Sequence, residues 1–283
     1  MAESLPSIDV IREQLERVLV VAEAATRRAA VDRDDPRAAL QAVTLGLLGM
    51  AVAEAHCIAA ALRAPMPQGT APNVRAMLEV LVTVEYLNDD RATEEEAEDR
   101  LDRYYRGVRR EQVRLRSSLD AFPVLKATFV TDQELAERER LELQAKEAGL
   151  PDDRRLKRHW SRAGSLQGMA EAVGLGSDYA VQYRVNSGSA HGNRPWDMAR
   201  VDERGLLICP DLDRNRDLGV PHGFDAQRYL AWTLSIAHAN GTVALYESEQ
   251  VVIGELAKYR QSLETLVAQG VVGAGLVAPP SHP

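Results

Sequence analysis

The stretch SIDVIREQLERVLVVA, residues 7–22, places Ile8, Ile11, Leu15, Val18 and Ala22 at steps of three and four after Ser7. That spacing stacks side chains on one face of an α-helix, whereas a half-buried strand alternates every second residue. The segment therefore predicts an amphipathic first helix, which ends near the charged turn Asp32–Asp35. The pattern recurs downstream: Val74, Met77, Leu78, Leu81 and Val84 form the buried stripe of a helix from Asn73 to about Leu87, interrupted by the polar Arg75, Glu79 and Glu85. Of the 283 residues, 45% are hydrophobic but only 5% aromatic, with Ala, Leu, Val, Arg and Glu dominant, which disfavours an all-β fold. The fold class expected is all-α, a multi-helix bundle with an aliphatic core.

Between these helices, Asp35-Pro36 has the form of an N-cap followed by proline at the first helical position, opening a second helix to about Arg63. Its segment Ala38–Ala53 is the most apolar in the chain, but contains Gln41 and Thr44 and stops at Glu54, short of the ~18 to 20 apolar residues a membrane span requires. It reads as a buried central helix, with Gly46 and Gly49 on a surface where another helix can approach closely, and a Pro/Gly-rich loop from Ala64 to Pro72 follows. Thr93 and Glu96 have capping-box spacing and open a long helix in which acidic Glu94–Asp102 gives way to basic Arg103–Arg116. Thr131 and Glu134 repeat that spacing, giving a charged helical insertion over 118–155 that protrudes from a single helical domain, 1–269.

Further along, a short helix from Leu166 to about Val173 is closed by Gly174, and Ser177 or Asp178 caps another carrying Tyr179, Val181, Tyr183, Arg184 and, near its end, His191. Past Gly192 the composition predicts a long loop, with Leu206–Cys209 forming a small hairpin, then helices over Asp225–Leu245 and Val252–Ala268. The tail, 270–283, lacks periodicity and is expected to be mobile.

Several function classes drop out. Cys57 and Cys209 form no CxxC or CxH pair, excluding a disulfide scaffold, an iron–sulfur cluster or a thiolate zinc site. With no secretory signal and no membrane span in evidence, a cytoplasmic protein is expected. The net charge of -8 argues against broad electrostatic binding to DNA but leaves room for a local basic patch that holds RNA. There is no Walker loop, HExxH, ExxH pair or GxSxG elbow, and Gly174-Leu175-Gly176 reads as a helix stop rather than a dinucleotide cradle. No cofactor and no metal is implied. His56 and Glu54, two apart, face different sides of their helix, and His238 reads as a satisfied interior histidine.

What remains is Tyr183-Arg184-Val185-Asn186-Ser187-Gly188-Ser189-Ala190-His191. Seven residues make about two helical turns, so on a continuous helix Arg184 and His191 share a face with Ser187 between them. A guanidinium, a hydroxyl and an imidazole in one groove suit phosphodiester cleavage: histidine moves a proton near neutral pH, and arginine holds phosphoryl oxygens as charge develops. Equally open is that both side chains satisfy buried carboxylates such as Glu79 or Glu85. Arg75 and Glu79 lie one turn apart and either pair with each other or orient Arg184 and His191 across the bundle.

Arg75-Ala-Met-Leu-Glu79 in an apolar helix, then Trp160, then Tyr183-Arg184-x-x-Ser187-x-x-x-His191, resembles the bacterial domain of unknown function 5677, over roughly Leu40–Pro195. The Arg-x6-His element is also similar to the signature of the HEPN superfamily, helical bundles that are often metal-independent ribonucleases of toxin–antitoxin or phage-defence systems. That signature usually has a polar residue directly after the arginine, whereas here Val185 follows and Asn186 comes next. The resemblance implies His191 as general acid/base, Arg184 as phosphate clamp, Asn186 or Ser187 as positioning hydrogen bonder and a ribose 2′-hydroxyl as nucleophile. It also implies a homodimer with paired Arg/His elements, and an antitoxin or other protein partner. The basic stretch that includes Arg158, with Trp160 as a residue that could stack on a base, either contributes to the RNA groove or is an ordinary solvated turn with a half-buried tryptophan. Two other readings stay open: a small-molecule enzyme with a phosphate- or carboxylate-binding pocket between helices, taking a small anionic ligand, and a noncatalytic binding or regulatory module.

Overall fold

A computed structural model describes residues 6–64, 67–119, 159–183, 200–201, 203–205, 207–208 and 212–268. It is predominantly helical, which makes the fold all-α. The helices are α1 (Ile8–Arg28), α2 (Ala38–Ala61), α3 (Ala71–Leu87), α4 (Glu94–Leu119), α5 (Leu166–Ala172), α6 (Leu212–Ala239) and α7 (Glu247–Ala268). A 3-10 turn, Pro67–Thr70, leads into α3. A single helical turn, Gly176–Asp178, continues into a π-helical segment, Tyr179–Tyr183. The expected hairpin is present in miniature: β1 (Arg200–Val201) pairs antiparallel with β2 (Leu207–Ile208), Arg200 opposite Ile208, across a turn where Gly205 has φ +77°.

Contacts divide the chain into two units, residues 1–88 with 177–283, and 89–176. In the first, α6 lies against α1, α2 and α3, and α2 packs on α1 and α3. The core is aliphatic as the composition demands: Ile11, Leu15, Leu48, Ile58, Met77, Leu78, Leu81, Leu230 and Leu234 are fully buried, and Tyr229 is the largest side chain among them. Helix α1 buries the stripe read from the sequence, and the Ser7 hydroxyl caps it by accepting from the Val10 amide at 3.4 Å. The end of the bundle is tied by a polar chain in which the Asn240 amide donates to Asn88 and the Asn88 amide to the Thr44 hydroxyl.

Helix α2 passes the length and hydropathy test for crossing a membrane, with mean hydropathy 1.6 over its most apolar window. Its Gln41, Thr44, Leu47, Leu48, Ala51 and Ala55 are nevertheless buried against the other helices, as in the core helix of a globular bundle. Three expectations are corrected here. Asp35 and Pro36 lie in the turn before α2, where Asp35 Oδ1 accepts from the Arg37 amide, and the helix begins at Ala38. Gly46 and Gly49 have open space where a Cβ would sit, so among the described residues no other helix approaches them. Pro72 belongs to the first turn of α3, where a missing amide costs no hydrogen bond, rather than to the loop.

The largest correction concerns α6. It begins at Leu212 and runs through Pro221, ending at Ala239, whereas the sequence placed a helix over Asp225–Leu245. Pro221 and Gly223 disfavour a helix by intrinsic preference, but Gly223 is required by packing: a Cβ there would lie 2.6 Å from Ile11 Cγ2 and 2.9 Å from Leu62 Cδ1. Residues 243–245 form the link to α7.

In the second unit the capping box is realised, with Glu96 Oε2 accepting from the Thr93 amide at 3.0 Å and Thr93 Oγ1 from the Glu96 amide at 3.3 Å. Trp160 packs edge-on against Tyr104 with ring centres 5.2 Å apart, and a Cβ on Gly107 would meet Trp160 Cβ at 2.6 Å. Arg103 and Arg162 both reach Asp99, and their hydrogen bonds, Arg103 first, hold its carboxyl below the usual range against the effect of burial. Gly174, at φ +80°, closes α5 as the sequence indicated. The insertion over 118–155 falls almost wholly outside the described residues, as does the tail.

Candidate functional site

The first unit holds a buried charged cluster that has no counterpart among the motifs read from the sequence. On α6, Asp225, Arg228 and Tyr229 share one side of a turn, and Asp178 faces them from the turn that opens the π-helical segment. Arg228 Nη2 forms an ion pair with Asp178 and donates to the Tyr229 hydroxyl at 3.1 Å, while Asp225 Oδ1 lies 4.0 Å away. The guanidinium carbon sits 4.8 Å from the centre of the Tyr229 ring. Burial opposes the charge on Arg228, but Tyr229, Asp225 and Asp178 around it outweigh that effect and raise its pKa, so it stays charged. Burial, reinforced by the Asp225 charge, raises the Tyr229 phenol, which stays protonated.

A π-helical segment carries i→i+5 hydrogen bonds and is a wide, rare turn that recurs at functional sites. Here Asp178 fixes its start to α6, and α3, the helix of Arg75 and Glu79, packs against it. The segment ends at Tyr183, one residue before Arg184. The cluster therefore positions the chain that leads into the Arg-x6-His element.

Of the residues singled out by sequence, Arg184, Asn186, Ser187, His191 and Arg158 lie outside the described residues, and so does the Tyr183 side chain. Arg75 Nε donates to Glu79 Oε1 at 3.0 Å, the intrahelical pairing that was one of the two readings. Trp160 belongs to the second unit, where it is half-buried on Tyr104 and stacked on His159, their ring centres 5.6 Å apart. His56 pairs with Glu23, whereas Glu54 accepts from the Asn73 amide at 2.6 Å, so the two diverge as their spacing required. His238 is satisfied by the Val243 carbonyl at 3.2 Å. Among the described residues no group of three or more His, Cys, Asp or Glu side chains is arranged to hold a metal ion.

A family model described as a family of unknown function (DUF5677) matches residues 41–203, more than half of the chain. The chain belongs to DUF5677. The span that matches the DUF5677 model takes in Arg75, Glu79, Trp160, Asp178 and the whole of Tyr183–His191, and stops short of Asp225, Arg228 and Tyr229. The ion pair that ties down the π-helical segment thus joins a residue inside the matched span to one beyond it. No curated protein and no solved structure matches the chain.

The sequence reading missed Arg228 and Tyr229 and treated Asp178 only as a helix cap. The signal that points to them is the spacing of Asp225, Arg228 and Tyr229, three and four residues apart on one helix, next to the apolar run that begins at Leu230.

Proposed function

We propose that this chain is an endoribonuclease of HEPN type that cleaves RNA without a metal ion, acting in the cytoplasm as a defence or toxin effector. The observation that carries this reading is the Tyr183-Arg184-x-x-Ser187-x-x-x-His191 sequence issuing from a π-helical segment that is tied to α6 by Asp178–Arg228 and backed by α3. In the reaction, the His191 imidazole takes the proton of a ribose 2′-hydroxyl and O2′ attacks the adjacent phosphorus. The 5′-oxygen of the next nucleotide leaves with that proton, returned by the imidazolium, giving a 2′,3′-cyclic phosphate and a free 5′-hydroxyl. Arg184 pairs with the non-bridging oxygens as their charge grows, and Asn186 or Ser187 orients the phosphate.

The HEPN reading joins two copies so that their Arg/His elements face one groove, with a neutralising protein partner controlling access. A stripe on α2, with Ala42, Gly46, Met50 and Ala53 exposed and uncharged, supports such an association between copies. The test is incubation of the full chain and of His191→Ala with total RNA in excess EDTA. Circular dichroism checks the fold of the variant, and light scattering measures the oligomer. Cleavage by the wild type to cyclic-phosphate ends, and none by the folded variant, is expected; no cleavage by either, with both folded, overturns the reading.

A further inference from the structure

Between α6 and α7 the first unit leaves a cleft of about 200 Å³, and what it binds is argued without the ribonuclease reading. Its walls are mainly apolar, with Phe224 and Trp232 from α6 and Ile253 and Leu256 from α7. Three polar side chains line it, Gln227, Arg228 and Ser235, and the Ser235 hydroxyl is already spent, donating to the Ala231 carbonyl at 2.8 Å. Gln227 is only 4% exposed, and its Oε1 is buried with no hydrogen-bond partner among the described residues. Buried carbonyl oxygens are rarely left so, because the water they lose is not replaced, and an orphaned acceptor lining a cleft asks for a donor from outside the chain.

The charge of the cleft narrows the class of donor. Arg228 is already matched by Asp178, with Asp225 4.0 Å away, so its guanidinium offers no uncompensated positive charge to an anion. A carboxylate or phosphate would meet those two acidic side chains as well as the arginine. Size narrows it further: an apolar cavity of ~150 Å³ accommodates benzene, so about 200 Å³ suits one ring or two fused rings. Aromatic walls favour a flat partner whose edge carries the polar group.

We infer that this cleft is a binding site for a neutral one- or two-ring heteroaromatic molecule whose ring N–H donates to Gln227 Oε1 while its faces pack on Trp232 and the aliphatic wall of α7. An unbound heterocycle and a base within an RNA strand share this chemistry, and the probes separate them.

The experiment is calorimetric titration of the full chain with indole, uracil and hypoxanthine, with 1-methylindole and 1,3-dimethyluracil as counterparts that lack the N–H, and with the trinucleotide UpUpU. At least one N–H probe binds, and its methylated counterpart binds tenfold or more weakly. Gln227→Leu, which keeps the side chain's bulk and removes the acceptor, abolishes that preference while melting at or above the wild-type temperature. Should Gln227→Leu fail to fold, Gln227→Met serves the same purpose. Trp232→Ala weakens all the probes together. Binding of a free heterocycle identifies a small-molecule site, and binding of UpUpU alone, with the same loss in Gln227→Leu, identifies a base within a strand. No binding by any probe, or an N–H preference unchanged in Gln227→Leu, overturns the inference. Loss of RNA cleavage in His191→Ala bears on the ribonuclease reading and leaves this one untouched.

Discussion

Replacing His222 with asparagine removes one specific source of acid sensitivity from the fold. His222 follows Pro221 within α6, is 9% exposed, and places Nδ1 2.7 Å from the hydroxyl of Thr70, the residue that precedes α3. Burial lowers its pKa from 6.5 to about 4. As the pH falls through 6.5, His222 in the unfolded chain takes up a proton that the folded chain refuses until about pH 4, so the unfolded state gains and stability declines across that window. A gap of about 2.5 pH units, at about 1.36 kcal/mol each, amounts to roughly 3 kcal/mol, of which about 2 kcal/mol is lost by about pH 5. Asp89, Asp99 and Glu249 have lowered pKa values, so the stability they contribute is present above the ordinary carboxylate range and is lost below it, at the acid end of this window. The assay is urea unfolding followed by far-UV circular dichroism at steps from about pH 7.5 to about pH 4.5. The wild type loses ~2 kcal/mol more than His222→Asn by about pH 5, after a cost to the variant of about 1 kcal/mol of packing at neutral pH. Parallel pH profiles for the two proteins would show that His222 protonates in place, and would refute the reasoning.

Two further perturbations probe the units separately. Arg228→Met strands Asp178 and Asp225 beside an apolar side chain and costs roughly 3 to 5 kcal/mol by thermal or urea unfolding, and adding Asp178→Asn restores part of it; strictly additive effects in that double-mutant cycle would mean the ion pair does not hold the π-helical segment. Gly107→Ala puts a Cβ within 2.6 Å of Trp160 Cβ and costs about 1 to 3 kcal/mol in the second unit, with a red shift of tryptophan emission; an unchanged spectrum and melting point would contradict the packing described.

The two ends of the chain's helices differ in how legible they were. Ser7, the Thr93–Glu96 box and the stop at Gly174 act within a few residues of themselves, and each stands where the sequence put it, whereas of the hairpin expected over Leu206–Cys209 only one strand, Leu207–Ile208, falls there and its partner is Arg200–Val201. The start of α6 did not, because Pro221 and Gly223 break helices by intrinsic preference, by about 3 and 1 kcal/mol, yet here the close approach of Ile11 and Leu62 selects the glycine and carries the helix through. The same holds for the candidate site. Arg75 and Glu79 were visible as a pair one turn apart, whereas Arg228 and Asp178 meet across fifty residues, a distance at which no local pattern announces a partner.

The sequence by itself determined that the chain is helical, where most of its helices lie and which stripes they bury, because helix periodicity and capping are interactions between residues three and four apart. Only the tertiary structure decided which charges are neutralised, that α6 joins α2 at the centre of the bundle by lying against α1, α2 and α3 while holding Arg228 and Tyr229, and that Gln227 lines a cleft with its oxygen unpartnered among the described residues. Those properties depend on what a neighbouring helix brings to within a few ångströms, and that is set by packing of the whole bundle rather than by any one segment.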